Sequence, residues 1–319
     1  MIYPWGDKRR YNTYARYVAQ LFGGRVQKIS VDGGFSCPNR DGVIATGGCT
    51  FCDNGAFTPS YCSSEKTIRQ QIEEGKAFFA RRYPERQRFL VYFQPYSNTY
   101  ADLATLRRRY EEALAVEGVE GLVIGTRPDT VDEAKLDYLA DLARTTHITV
   151  EYGIESTSDE TLRRIRRGHD FATARWAVEA TAQRGIATAG HFILGLPGES
   201  DEWLLEQCHT INSLPLTSVK FHQLQLFRHT PMAREYDAHP EAFRFWTLDG
   251  YIDFAVEILR RLRPTLVVER FLSVVPPRYH HRLSWGGMPK NQLFALLEER
   301  LEVMGAHQGE FFYTFAGTK

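Results

Sequence analysis

The sequence has no run of about 18 apolar residues, so none of its 319 residues reads as part of a membrane span. Its first ten residues, ending in Lys8-Arg9-Arg10, lack the apolar stretch of a secretory signal and lead us to expect a cytoplasmic protein. An excess of one charge is also missing, because 39 Lys and Arg face 39 Asp and Glu. That balance argues against strong non-specific binding to nucleic acid, while leaving room for a local basic groove. Cysteine is scarce, five in all with three clustered. An odd, clustered set argues against a disulfide framework and for metal use in a reducing compartment. No second C-x-x-C, no H-x3-H, no internal repeat and no low-complexity tract occurs.

What the chain does have is 43% hydrophobic and 24% charged residues, enough for a large core in one barrel-sized domain or two smaller ones. Its focus is the stretch from Cys37 to Cys52, where Cys37, Cys49 and Cys52 follow a C-x11-C-x2-C spacing after a strand-like segment. Two sulfurs two residues apart can grip one metal centre, and the third arrives from the far end of a loop. Three thiolates without a fourth suggest a [4Fe–4S] cluster with one iron open to a further ligand. A structural zinc site completed by histidine or Cys62 stays open as an alternative, as do plain buried thiols. Cys62 and Cys208 read as packing residues.

Strand-like runs at Gln27–Asp32, Phe89–Gln94, Gly121–Thr126, Ile148–Gly153, Ala187–Leu194 and Ser218–Leu226 alternate with helical segments. One helix is expected over Tyr11–Phe22, one opening at Ser63-Ser64-Glu65 and running to about Tyr83, and one over Asp132–Arg144. Parallel strands need crossover helices, and ligands gather at the strands' carboxyl ends. The expected fold is therefore α/β, a partial (β/α)6 TIM-type barrel over 27–227. An N-terminal helical segment (1–26) precedes it and a C-terminal α/β extension (228–319) closes the barrel side. That extension should hold a helix over Leu248–Leu262, a strand over Thr265–Val274 and a last helix over Lys290–Met304. A doubly wound open sheet is the fold alternative. Lys220 and His222, two apart on one strand, should share a face toward the cavity, since a lysine inside a barrel must be paired.

Several runs make the sequence resemble the YhcC/YtqA family of radical S-adenosylmethionine (SAM) proteins, whose core is Elp3-like. They are Cys37-Pro-Asn-Arg-Asp-Gly42, Tyr92-Phe-Gln-Pro-Tyr-Ser-Asn-Thr-Tyr100, Gly125-Thr-Arg-Pro-Asp129 and Arg167-Gly-His-Asp-Phe171, with His191-Phe-Ile-Leu-Gly-Leu-Pro-Gly-Glu199, Lys220-Phe-His222 and Gln308-Gly309 further on. The resemblance covers nearly the whole chain. It implies a [4Fe–4S] cluster, SAM and an electron donor such as flavodoxin or ferredoxin. It also implies action on the tRNA wobble uridine, converting 5-carboxymethylaminomethyl to 5-aminomethyl by hydrogen abstraction with a deoxyadenosyl radical. Other readings are a radical SAM enzyme acting on a small molecule or peptide, and a non-catalytic zinc-stabilised RNA adaptor.

The same resemblance assigns roles. Cys37, Cys49 and Cys52 would hold the cluster, and Phe51 would flank the adenine of SAM. Arg167 would fork onto the SAM carboxylate and Glu155 would accept from the ribose hydroxyls. Gln94 and Asn98 would grip the SAM amine, while Ile193, Gly195 and Gly198 would lie along the adenine. Lys220, His222 and Arg127 are the candidate catalytic groups, with Lys220 or Arg127 holding a departing carboxylate. RNA contact would fall to Arg278, Arg282 and Lys290 among Tyr279, His280, His281 and Trp285, a basic and aromatic mix.

Overall fold

The computed structural model describes residues 2–81 and 88–312. Seven parallel strands form one sheet in the order β1 (Gln27–Val31), β2 (Phe89–Phe93), β3 (Val119–Thr126), β4 (His147–Glu155), β5 (Ala187–Leu194), β6 (Ser218–Gln223) and β8 (Val267–Arg270). Spatial order follows chain order, so each crossover helix returns the chain to the next strand's start. These helices are α2 (Ile68–Ala80), α3 (Leu103–Leu114), α4 (Glu133–Ala143), α6 (Phe171–Gln183) and α7 (Asp201–Ser213), with the short α5 (Asp159–Arg164) ahead of α6. Their starts are written locally: the side chains of Asp102, Asp132, Asp170 and Ser200 each accept from a backbone N–H in the first turn.

Alternation along the strands separates two faces. Outward residues such as Ile29, Phe93, Ile124, Val150, Phe192 and Phe221 are at most 1% exposed and pack into one core beneath the helices. Each contributes about 1.5–3 kcal/mol of burial. The inward face begins with an apolar plug, Leu90, Tyr92 and Val123 against Phe22 and Val26. Above that plug it turns polar. The sheet curls far enough for its edge strands to meet across the interior, where Lys28 of β1 pairs with Glu269 of β8 at 2.8 Å. Tyr14, at the start of α1 (Tyr14–Leu21), fills the gap and lies under the Lys28 ammonium at 4.3 Å. The fold is thus a partial TIM-type barrel.

Several boundaries differ from expectation. The first helix begins at Tyr14, because residues 11–13 are extended: Thr13 bridges Val268, and the Asn12 carbonyl accepts from the Val268 N–H at 2.8 Å. The second opens after Thr67, whose hydroxyl accepts from the Gln70 N–H at 3.0 Å, while Ser63 only closes a turn. Its expected end near Tyr83 lies outside the described residues. β6 stops at Gln223, and Leu226–Phe227 (β7) leaves the barrel to pair antiparallel with β9 (His280–Arg282). The expected strand over Thr265–Val274 shortens to β8, and it joins the barrel sheet as a seventh strand beside β6. Behind it α8 (Pro231–Ala238), α9 (Leu248–Arg261) and α10 (Lys290–Val303) complete the extension, with α9 packed on α7 and α10.

Gln308 ties the ends of the chain together. Its side-chain oxygen accepts from the Asn12 N–H at 2.8 Å and its amide donates to the Leu266 carbonyl at 2.8 Å. The N-terminal segment, the residue leading into β8 and Gln308 of the extension are therefore tied together.

Candidate active site

One cavity opens at the carboxyl ends of the strands. Cys37, Cys49 and Cys52 border it together with Phe51, Gln94, Arg127, Glu155, Arg167, Ile193 and His222. The cysteine loop follows β1 and folds through its own backbone. The Cys37 carbonyl accepts from the Arg40 N–H at 2.8 Å, the Asn39 carbonyl from Gly48 N–H at 2.8 Å, and the Cys49 carbonyl from Cys52 N–H at 3.1 Å. It is also stitched to the turn between α5 and α6, where the Asn39 amide donates to the Arg166 carbonyl at 2.7 Å.

That stitching brings donors to sulfur. The Cys49 Sγ receives Asn39 Nδ2 at 3.3 Å and Arg167 Nη1 at 3.4 Å, and Arg40 Nη1 lies 3.9 Å from the Cys52 Sγ. Burial, and next the neighbouring Cys49, push the Cys52 thiol up to about 12, with Arg40 and Arg167 pulling the other way. A bare thiolate is unfavourable there, so a cation must offset the charge if the sulfurs are to ionise. Among the described residues no three or more His, Cys, Asp or Glu side chains are grouped to hold a single metal ion. The three sulfurs border one cavity and are served by N–H donors, which would stabilise the negative charge of a thiolate-bound metal centre.

Arg167 is the pivot of the rim. It is 7% exposed, its Nη2 donates to the Gly153 carbonyl at 2.5 Å and it lies 3.6 Å from Glu155. A Cβ on Gly153 would stand 2.6 Å from both Arg167 Nη2 and Glu155 Oε1, so only glycine leaves room for the pair. Glu155 sits at a shift in the β4–β5 register with φ of 71°, which turns its carboxylate toward the cavity. Burial raises its pKa, opposed by Arg167 and Arg127. It caps no helix, since Ser158 caps α5. Arg127 forks onto Asp129 at 2.8 and 2.7 Å and donates to the Arg167 carbonyl at 2.8 Å. Gln94 accepts from the Ser30 hydroxyl at 2.9 Å.

Four expectations are corrected. Asn98 is fully buried away from the cavity, its amide donating to the carbonyls of Phe93, Pro95 and Gly125, so it fixes the turn after β2 rather than a ligand. Gly195 and Gly198 do not line the cavity. A Cβ on Gly195 would lie 2.8 Å from the Trp246 ring, and both Gly195 and Gly198 have positive φ, so these glycines serve the turn of the loop and, at Gly195, its packing. Lys220 lies beneath the cavity wall, 1% exposed, with its ammonium 2.5 and 2.7 Å from the Glu151 oxygens and 3.3 Å from Glu269. His222, two residues on, does reach the cavity.

The buried floor was missed by sequence reasoning. Glu151 accepts from Lys220, from Lys28 at 3.2 Å and contacts His191 Nε2 at 2.9 Å. Desolvation works against its charge, yet Lys220 and Lys28 hold the carboxyl well below its usual range. Burial pulls Lys220 down to about 8 despite the two carboxylates, and lowers His191 to about 4 with Lys220 next in effect. His222 falls well below the usual histidine value through burial and then the Arg270 charge beside it, so both imidazoles are neutral near pH 7. The signal was available: Lys28 and Glu151 stand at inward positions of apolar strands, as Lys220 does. Arg270 and Gln225, also on the cavity wall, gave no such pattern.

The bases and aromatics expected to meet RNA are largely engaged within the fold. Arg282 lies over the Phe245 ring at 4.0 Å and Arg278 over Tyr279 at 4.9 Å. His281 contacts Asp237 at 2.7 Å, and Trp285 donates to the Trp246 carbonyl at 3.0 Å. His280 is buried against the Val275 carbonyl. The Lys290 side chain lies outside the described residues.

A curled parallel half-barrel with its polar side chains gathered at the strands' carboxyl ends has the layout of a barrel enzyme. The family-model comparison makes this specific: residues 41–210 match the Radical SAM superfamily and residues 216–302 the Radical_SAM C-terminal domain. The chain belongs to the radical SAM superfamily. YtqA of Bacillus subtilis is 31% identical over 97% of this chain and 95% of its own length. The archaeal Methanocaldococcus infernus Elp3 with an N-terminal deletion superposes with a TM-score of 0.65 at 15% identity, over 91% of this chain and 67% of that one, and thus shares the fold. A tRNA uridine(34) acetyltransferase of Dehalococcoides mccartyi is 32% identical over a local segment, 26% of this chain and 17% of its own. Membership implies an iron–sulfur cluster and SAM. No helix among the described residues is long and apolar enough to cross a membrane.

Proposed function

We propose that the protein holds a [4Fe–4S] cluster on Cys37, Cys49 and Cys52, binds SAM beside it, and converts the 5-carboxymethylaminomethyl group of the tRNA wobble uridine to 5-aminomethyl. The observation that carries the reading is that the three sulfurs border the same cavity as Arg167, Glu155 and Gln94. The tRNA part draws support from the local match to a tRNA uridine(34) acetyltransferase and the family resemblance. The cluster and SAM, when bound, supply hydrogen-atom abstraction by a 5′-deoxyadenosyl radical.

The chain's own residues bind and orient. Asn39, Arg40 and Arg167 direct N–H groups at Cys49 and Cys52 and so stabilise negative charge on sulfur. Glu155 is an acceptor for ribose hydroxyls, Gln94 for an amine, and Arg167 retains a buried Nε without a partner among the described residues for a carboxylate. Phe51 and Ile193 give an adenine an apolar wall. Hydrogen would leave the carboxymethyl carbon next to the substrate amine. Loss of one further electron to a one-electron acceptor such as an oxidised iron–sulfur cluster would give an iminium, and water would release the two-carbon unit as glyoxylate and leave the primary amine. A small molecule or peptide as substrate is the second reading, favoured by the engagement of the C-terminal bases and aromatics within the fold.

The test is anaerobic reconstitution with iron and sulfide, then incubation with SAM, dithionite and bulk tRNA carrying carboxymethylaminomethyl uridine. Deoxyadenosine together with aminomethyl uridine supports both parts of the reading. Deoxyadenosine with unchanged nucleosides sinks the tRNA part alone.

A further inference from the structure

We propose that Arg270 is the seat of a substrate carboxylate, so that the molecule acted on enters with an anionic group directed at the wall made by β6 and β8. The inference rests on reading this cavity as the place where substrate meets SAM, and it adds a recognition element.

The floor carries an unbalanced charge. Among the described residues, three cations, Lys28, Lys220 and Arg270, stand with two carboxylates, Glu151 and Glu269. Both carboxylates are taken by the lysines, at 2.5–3.3 Å. Arg270 is left with His222, whose Nε2 lies 3.3 Å from its Nη2. Its Nε is buried and has no partner among the described residues. His222 is neutral and brings no charge to offset the guanidinium. A half-buried guanidinium with idle donors is unfavourable, and an anion that accepts from its fork removes that penalty.

The other cations of the cavity each face a carboxylate or a sulfur, even where one nitrogen is left without a partner among the described residues. Arg127 is forked onto Asp129, Arg167 faces Glu155 and Cys49, and Arg40 stands at the exposed rim turned to Cys52. The expected carboxylate holder, Lys220, is saturated by Glu151 and Glu269. Among the described residues Arg270 faces a neutral imidazole and is ion-paired to no carboxylate, which suits a planar monoanion, and the fork matches a carboxylate.

The experiment uses reconstituted protein with SAM and two small probes, N-benzylglycine and its amide N-benzylglycinamide, compared by saturation-transfer NMR under anaerobic conditions. The acid is expected to bind about tenfold more tightly than the amide. Arg270→Gln should erase the preference, and Arg270→Lys, which keeps the charge, should retain part of it. Melting temperatures report whether each variant is folded. No preference in the wild type, or a preference that survives Arg270→Gln, overturns the proposal. A preference present without SAM and lost on adding SAM hands the seat to SAM and overturns it equally. Anticodon stem-loops with carboxymethylaminomethyl or aminomethyl uridine are then compared. If the acid probe is preferred and neither loop is, the Arg270 assignment stands and the tRNA reading falls.

Discussion

The two faces of the seven-stranded sheet are built from the same strands and obey opposite rules. Outward, Ile29, Phe93, Ile124 and Phe192 are buried among other apolar side chains. Inward, at alternate positions, stand Lys28, Glu151, His191, Lys220 and Arg270, most of them joined by short ion pairs and hydrogen bonds. Hydrophobic burial holds the sheet and is forgiving of detail. The inner face has no such tolerance, because each buried charge depends on its partners. One strand set can therefore carry stability on one side and chemistry on the other.

Ways to break that contrast run from the largest effect to the smallest. Cys49→Ala, at the rim of the inner face, should abolish both the brown colour of the reconstituted protein and deoxyadenosine formation; a fully active variant would refute the site. Glu151→Gln removes the charge shared by Lys28 and Lys220 and should cost about 3–5 kcal/mol in denaturant unfolding. Adding Lys220→Met should recover much of that loss, and failure to do so would show that the network is not limited by an unpaired charge.

The acid limb of stability tests the neutral imidazoles. His191 has its pKa lowered from 6.5 to about 4, chiefly by burial, amid Glu151, Lys220, His222 and Arg270. Between those values the unfolded chain binds a proton that the folded chain refuses, so stability falls as pH drops from 6.5 to 4. The slope is up to about 1.4 kcal/mol per pH unit for one such group. His191→Gln should flatten it, and an unchanged limb would count against a neutral His191. On the outer face, Ile124→Val should cost about 0.5–1.5 kcal/mol and leave cluster colour per folded molecule unchanged.

The half of the architecture that depends on local pattern was readable from residues. Apolar runs such as Phe89–Phe93 announced strands, and alternation with helices announced a parallel sheet. The cysteine spacing pointed to a metal-bearing loop on the same rim as Arg127, Glu155 and Arg167. Asn98 and Gly195 were given ligand roles by the resemblance and Lys220 by its place on an inward strand face, while the Gly125 carbonyl, Trp246 and Glu151 that engage them lie 27 to 69 residues away in the chain. That a buried lysine needs a partner was legible, but which distant residue supplies it was not.

The sequence by itself determined the order of strands and helices and the three-cysteine loop, since these follow from periodicity and from spacing between near neighbours. Some element boundaries moved with tertiary contacts such as the one between Thr13 and Val268. Tertiary structure alone decided that Val267–Arg270 is a seventh barrel strand and that Lys28 and Glu269 meet across the interior. It also decided that, among the described residues, Arg270 faces His222 rather than an ion-paired carboxylate. Those outcomes depend on how the sheet curls, and curling brings together charges that sequence order keeps apart.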